Sequence, residues 1–250
     1  MSISLSNLLI DATRIPSRKL LRDYYELESL QNNGQQNSNF VLQSLKRIKD
    51  NIALELLKHK ITSNFFFAKE EKPKGDFFIY IVPIDSIENL SRAKPFFGIM
   101  ATLFKDNQPE MCVVNFPAIK EILYAEKDRG LWTEKLNRND NDPVKIRSSN
   151  ISDLNNAHII TDNLDSILEY QDYFQSFANI EIINSPLYNV YLVCHGIVDA
   201  CIIRNDCDFF SQSLSFLAKE SKALFKTISN NKKAIITNVK ISMPKSIDKE

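Results

Sequence analysis

The order of apolar patterns in this 250-residue chain predicts an α+β N-terminal half followed by an α/β C-terminal half. Three observations carry that expectation. Two helical stretches precede the first strand-like segment, several short β-branched and aromatic segments then follow one another, and from Ala157 onward strand-like and helix-like segments alternate. The halves are placed at 1–140, carrying an antiparallel meander, and 141–250, and are expected to share one continuous unit.

The elements follow in order. Residues 5–28 read as helical through Leu8, Leu9, Leu20, Leu21, Tyr24 and Leu27, with a break at Pro16. Gln31–Ser38 is a polar loop. Residues 40–59 form the clearest amphipathic helix, because Val41, Leu45, Ile48, Ile52 and Leu56 recur at steps of three and four. Asn64–Ala68 and Phe77–Val82 are aromatic-rich strands on either side of the charged loop Lys69–Gly75. Phe96–Lys105, Met111–Phe116 and Glu121–Glu126 follow as strands, the first two joined by the turn Asp106-Asn107-Gln108-Pro109. Trp132 packs at the end of this meander. Beyond the polar stretch Asn137–Asp142 come strand Ala157–Thr161, helix Asp162–Phe177, strand Ile180–Ile183, helix Pro186–Cys194, strand Val198–Ile203 and helix Phe209–Phe225.

Composition excludes some function classes. With 31 basic and 31 acidic side chains the formal net charge is zero, so no global field draws the chain to nucleic acid or an anionic membrane. No apolar run approaches the roughly 20 residues of a membrane span, and Met1–Arg14 lacks a basic region leading an apolar stretch, so no signal peptide and no membrane association are expected. Cys112, Cys194, Cys201 and Cys207 show no C-x-x-C spacing; they are expected to be reduced thiols of a cytoplasmic protein, with Cys194, Cys201 and Cys207 filling the core. The chain has five glycines, far below an average usage of about 7%. Phosphate-handling enzymes place glycine where backbone must approach the ligand, and this chain has few such places.

The densest information lies between Ile79 and Trp132. An apolar strand ends abruptly in Val82-Pro83-Ile84-Asp85, followed by Ser86-Ile87-Glu88. A carboxylate just past the carboxyl end of a strand and ahead of a helix sits where metal and phosphate sites form. It is equally placed to cap the helix. Asp208, ahead of the last helix, has the same two readings. Glu70 and Glu71, among Lys69, Lys72 and Lys74, read as a solvated loop or as part of a site. His195, beside apolar neighbours, reads as a packed or surface histidine.

These segments, in this order, resemble the inositol monophosphatase family, in its bacterial branch. Val82-Pro83-Ile84-Asp85-Ser86-Ile87 stands at the family's D-P-I-D-G-T, Glu70-Glu71 at its G-E-E, and Asn115-Phe116-Pro117 follows in the meander. Asn184-Ser185-Pro186 through Val193, then His195-Gly196-Ile197-Val198-Asp199-Ala200, resembles G-S…L-V-A-x-G-R-x-D-A. Cys207-Asp208-Phe209 stands at W-D-x-A-A-G. The resemblance implies a five-layer α-β-α-β-α sugar-phosphatase fold. It also implies magnesium held by Glu70, the backbone carbonyl of Ile84, Asp85 and Asp208, with a metal-bound water attacking a phosphate.

The departures weigh against that chemistry. Val82 replaces the family's metal-bridging Asp, Ile87 replaces the Thr that orients the water, Leu45 stands at a further family Asp, and Phe210-Ser211-Gln212 replaces Ala-Ala-Gly. The expectation is therefore a family member with a degenerate metal site, magnesium weak or absent, and little or no phosphatase turnover, acting by binding. By family analogy the partner is the transcription machinery, and the protein is a homodimer. The alternative is a magnesium-dependent phosphatase acting on inositol or sugar phosphate monoesters.

Overall fold

Two long helices open the chain and lie on one face of a strongly apolar sheet. The structure is a computed structural model and describes residues 5–32, 38–135, 142–205, 207–229 and 232–242. The chain divides into two compact units, Met1–Lys127 with Trp132–Val144, and Asp128–Leu131 with Lys145–Glu250. The expected boundary at 140/141 lies outside the described residues, as does most of the polar stretch Asn137–Asp142 and the centre of the loop Gln31–Ser38.

In the first unit, α1 (Leu5–Asn32) runs unbroken through Pro16, against the expected break. Proline in a helix interior removes one hydrogen bond and typically costs about 3 kcal/mol. Here both sides of it are anchored in the same core, by Leu8, Leu9 and Ala12 before and Leu20 and Leu27 after, so packing offsets the local defect. Helix α2 (Ser38–Lys58) sends Val41, Ile48, Ile52 and Leu56 into that core. Leu45 is partly buried against it.

A seven-stranded sheet lies under these helices in the order β1 to β7. Strand β1 (Phe65–Phe67) pairs parallel with β2 (Phe77–Val82), and β2, β3 (Ile99–Lys105), β4 (Gln108–Phe116) and β5 (Glu121–Glu126) form the expected antiparallel meander. Ile79, Ile81, Ala101, Leu103, Met111, Val113 and Ile122 alternate onto the helix-covered face. Asp106 and Asn107, at φ 52° and 58°, close β3 onto β4 in a two-residue turn. Both residue types tolerate that left-handed backbone, which matches the strand twist. The short helix α3 (Ile87–Ser91) follows β2, and β6 (Gly130–Lys135) and β7 (Val144–Ile146) extend the sheet. Trp132 lies half-buried on β6.

The second unit is built on a five-stranded mixed sheet, in the order β11-β12-β10-β8-β9. Strands β9 (Asn179–Ile182), β8 (His158–Thr161) and β10 (Ala200–Arg204) run parallel, whereas β12 (Lys233–Thr237) and β11 (Leu224–Ile228) add antiparallel. The expected helix Asp162–Phe177 is two helices, α4 (Leu164–Glu169) and α5 (Gln171–Gln175), parted at Tyr170 with φ −117° and ψ 38°. Tyr170 breaks the helix because its ring joins the core of this unit while its hydroxyl bonds Ser229 Oγ at 2.5 Å. Helix α6 (Pro186–Cys194) matches expectation. Helix α7 (Asp208–Glu220) ends five residues before the expected Phe225. Lys222 adopts φ +67° and the Ala223 N–H donates to Ala218 O at 2.8 Å, closing the helix without a glycine and releasing Leu224 into β11. No described helix is long and apolar enough to cross a membrane.

Candidate functional site

Parallel pairing fixes where the first three candidate ligands emerge. Phe67 lies opposite Ile81, and Ala68 N–H donates to Ile81 O at 2.7 Å, so β1 and β2 end at the same edge. Glu70 leaves that edge from β1, and Ile84 and Asp85 leave it from β2. Asp208 belongs to the second unit, where it is the exposed first residue of α7.

Glu70 is held by its own turn. Its N–H donates to Phe67 O at 2.9 Å, and the Phe67 N–H donates back to Glu70 Oε2 at 3.2 Å. Its other oxygen, Oε1, receives the Lys49 ammonium at 2.8 Å. Both carboxylate oxygens are engaged, although the side chain is 48% exposed.

The strand-end segment is apolar where a polar site would need donors. Val82 and Ile84 are 7% and 5% exposed, and Val82 lies opposite Met100. Asp85 is half-buried and its N–H donates to Gly98 O at 2.9 Å. Asp85 does not cap the following helix. Ser86 does, its hydroxyl accepting from Asn89 N–H at 3.4 Å, while Asn89 Nδ2 donates to Phe96 O at 2.8 Å. Ser86 wins because its short side chain stands one residue before Ile87, at the cap position itself. Likewise Cys207, not Asp208, is the cap residue of α7, and it makes no side-chain capping bond. Cys207 is exposed, against the expectation of a core cysteine; Cys194 and Cys201 are buried, with the Cys194 thiol pushed up to about 12 by desolvation.

Magnesium wants near-octahedral oxygen ligands and parts with water reluctantly. Valine offers no lone pair, and Glu70 spends one oxygen on an ammonium and the other on an amide. Among the described residues no group of three or more His, Cys, Asp or Glu side chains is disposed to hold a metal ion.

No family model matches the chain. In sequence it is 30% identical over 121 residues to the histidinol-phosphatase of Chlorobaculum parvum, spanning 46% of this chain and 45% of that protein. It is 27% identical over 132 residues to the inositol-1-monophosphatase of Rhizobium meliloti, spanning 52% and 50%. The chain thus spans about half the length of the curated relatives it matches. In fold it is similar to the extragenic suppressor protein suhB from Bartonella henselae, with a TM-score of 0.79, 19% identity and coverage of 95% of both chains. In sequence over about half its length, and in fold, the chain is similar to proteins of the inositol monophosphatase family. Its two sheets and their helices are those of the sugar-phosphatase fold.

Inositol monophosphatase-like residues persist where they serve structure. Ser185 caps α6, its hydroxyl accepting from Tyr188 N–H at 3.1 Å. Gly196 has φ +72°, and a Cβ there would meet Arg147 O and Ser149 N at 3.1 Å. Asp199 is buried and receives the His158 N–H at 2.8 Å on Oδ2 and the Ser149 hydroxyl on Oδ1. Asn238 joins this network, donating from Nδ2 to Ser149 Oγ at 2.7 Å. Sequence reading missed Lys49 because one lysine on an amphipathic helix reads as solvated surface. It also missed the pair of buried Asp162 with Arg204, whose Nε donates at 2.8 Å. Only the placement of β8 beside β10 brings those two together.

Proposed function

We propose that this inositol monophosphatase-family protein acts by binding, with little or no phosphatase turnover. The observation that carries the reading is Val82, a buried hydrocarbon side chain at the end of β2, where the family resemblance puts the carboxylate that bridges metal ions. Its flanks are apolar too, with Ile81 fully buried and Ile84 nearly so. Ile87, 40% exposed, carries no hydroxyl to orient a water. Glu70, the Ile84 carbonyl, Asp85 and Asp208 are the residues that would contact magnesium, and with the bridge missing they hold it weakly or not at all. The surface then carries the function, toward a protein partner. The bacterial branch of the family points to the transcription machinery and to a homodimer.

The test is phosphate release from a panel of inositol and sugar phosphate monoesters, with and without magnesium. No magnesium-dependent release is expected. Robust release would instead support a magnesium-dependent phosphatase, a reading favoured by the two relatives whose names specify histidinol-phosphatase and inositol-1-monophosphatase activity.

A further inference from the structure

The pair between Lys49 and Glu70 sits at the edge where β1 and β2 end, and it is restrained from three sides. Ile48 and Ile52, both fully buried, fix the turn of α2 that carries Lys49. The Lys49 ammonium lies 4.9 Å from the centre of the Phe67 ring and 2.8 Å from Glu70 Oε1. The Phe67 N–H holds the other oxygen of the same carboxylate, and Lys69 turns the backbone between them through φ +73°.

We propose that the Lys49 ammonium is a built-in counter-ion of Glu70, occupying the carboxylate oxygen that a divalent cation would otherwise use. The inference rests on reading Glu70 as the family's metal-site carboxylate. An exposed ion pair on flexible side chains contributes little by itself. Here the ring and the reciprocal Phe67–Glu70 hydrogen bonds hold the partners in register, and cation–π attraction adds to the ammonium's side. A lysine on a helix also loses no translational freedom on pairing, unlike a free ion. Charge balance favours it further. One ammonium neutralises the Glu70 carboxylate, whereas a divalent ion bound there would lack the bridging carboxylate whose place Val82 takes. The consequence is a fold whose Glu70 turn is complete without metal.

The experiment uses the full chain and Mn²⁺ as probe, with free Mn²⁺ read by electron paramagnetic resonance. Wild type, Lys49→Arg, Lys49→Gln, Lys49→Met and the double change Lys49→Gln with Glu70→Gln are compared, with circular dichroism confirming the fold of each. Lys49→Gln, or Lys49→Met if that is the better-folded protein, should bind Mn²⁺ about tenfold tighter than wild type, the scale expected on removing one competing like charge. Adding Glu70→Gln should abolish the gain, and Lys49→Arg should match wild type. Unchanged affinity in Lys49→Gln and Lys49→Met, or a gain that survives Glu70→Gln, overturns the proposal. Tight Mn²⁺ binding by wild type together with phosphate release would instead overturn the binding-protein reading, so the two failures are distinguishable.

Discussion

Glu220, nearly buried at the end of α7, receives the backbone N–H of Gly130 at 2.7 Å and that of Asp128 at 3.0 Å. One carboxylate thereby satisfies two amides of a turn some ninety residues earlier in the chain. Glycine suits that turn because its φ is +86°, a backbone conformation that L side chains rarely adopt. Glu220→Ala strands both amides. The expected loss is about 3 kcal/mol, read as a melting temperature lower by about 6–12 °C. Glu220→Gln keeps one acceptor and should fall between that variant and wild type.

Gly196→Ala should also destabilise. The left-handed backbone penalises any side chain, and the crowding atoms, Arg147 O and Ser149 N, are backbone that cannot swing aside. A loss of about 1–3 kcal/mol is expected, with hydrogen exchange accelerated at His158 and Asn238, whose network adjoins Ser149. Unchanged melting would show that the loop 147–149 relaxes freely.

Acid sensitivity has a specific source at Glu169. Hydrogen bonds from Lys233 and then Ser229 lower its carboxyl from the ordinary 4.5 to about 2. A depressed folded-state value contributes stability that is fully present above pH 4.5 and is lost as pH falls toward 2. Its side chain is 43% exposed, so solvent screening reduces the effect below the full shift. Lys233→Met should flatten the fall in melting temperature between those limits, and an unchanged slope would exclude Glu169 as its source.

Val82→Asp puts a carboxylate at a site 7% exposed. Without metal it should melt several degrees below wild type, because a buried charge lacks a counter-ion. Added magnesium should recover part of that loss while leaving wild type unmoved. Phosphate release should stay low, since Ile87 still offers no hydroxyl. A wild-type protein stabilised by magnesium as strongly as the variant would contradict the role given to Val82.

Much of the fold was legible because it is written in local periodicity. The strands of the meander from Phe77 to Glu126 are apolar on both faces and largely buried, with one register shift between Leu103 and Phe104, and Asp106-Asn107 is a turn by its chemistry alone. The errors fell where tertiary contacts overrode local rules. Pro16 is carried by the core on both its sides, Tyr170 breaks a helix to reach Ser229, and Lys222 ends α7 in a conformation sequence assigns to glycine. The candidate site was legible only as positions. That Ser86 rather than Asp85 caps α3, and that Lys49 meets Glu70, depend on side-chain reach across elements.

Among the described strands β9 is outermost in its sheet, and all four of its residues, Asn179 to Ile182, are exposed. Ile180 and Ile182 are 42% and 52% accessible, with Glu181 between them. A short outermost strand with two exposed β-branched apolar side chains is a template on which another chain can grow a cross-β ladder. The intervening carboxylate opposes that growth, because stacking identical strands in register would pile like charges a few ångströms apart. Glu181 thus has the placement of a gatekeeper between two exposed apolar side chains.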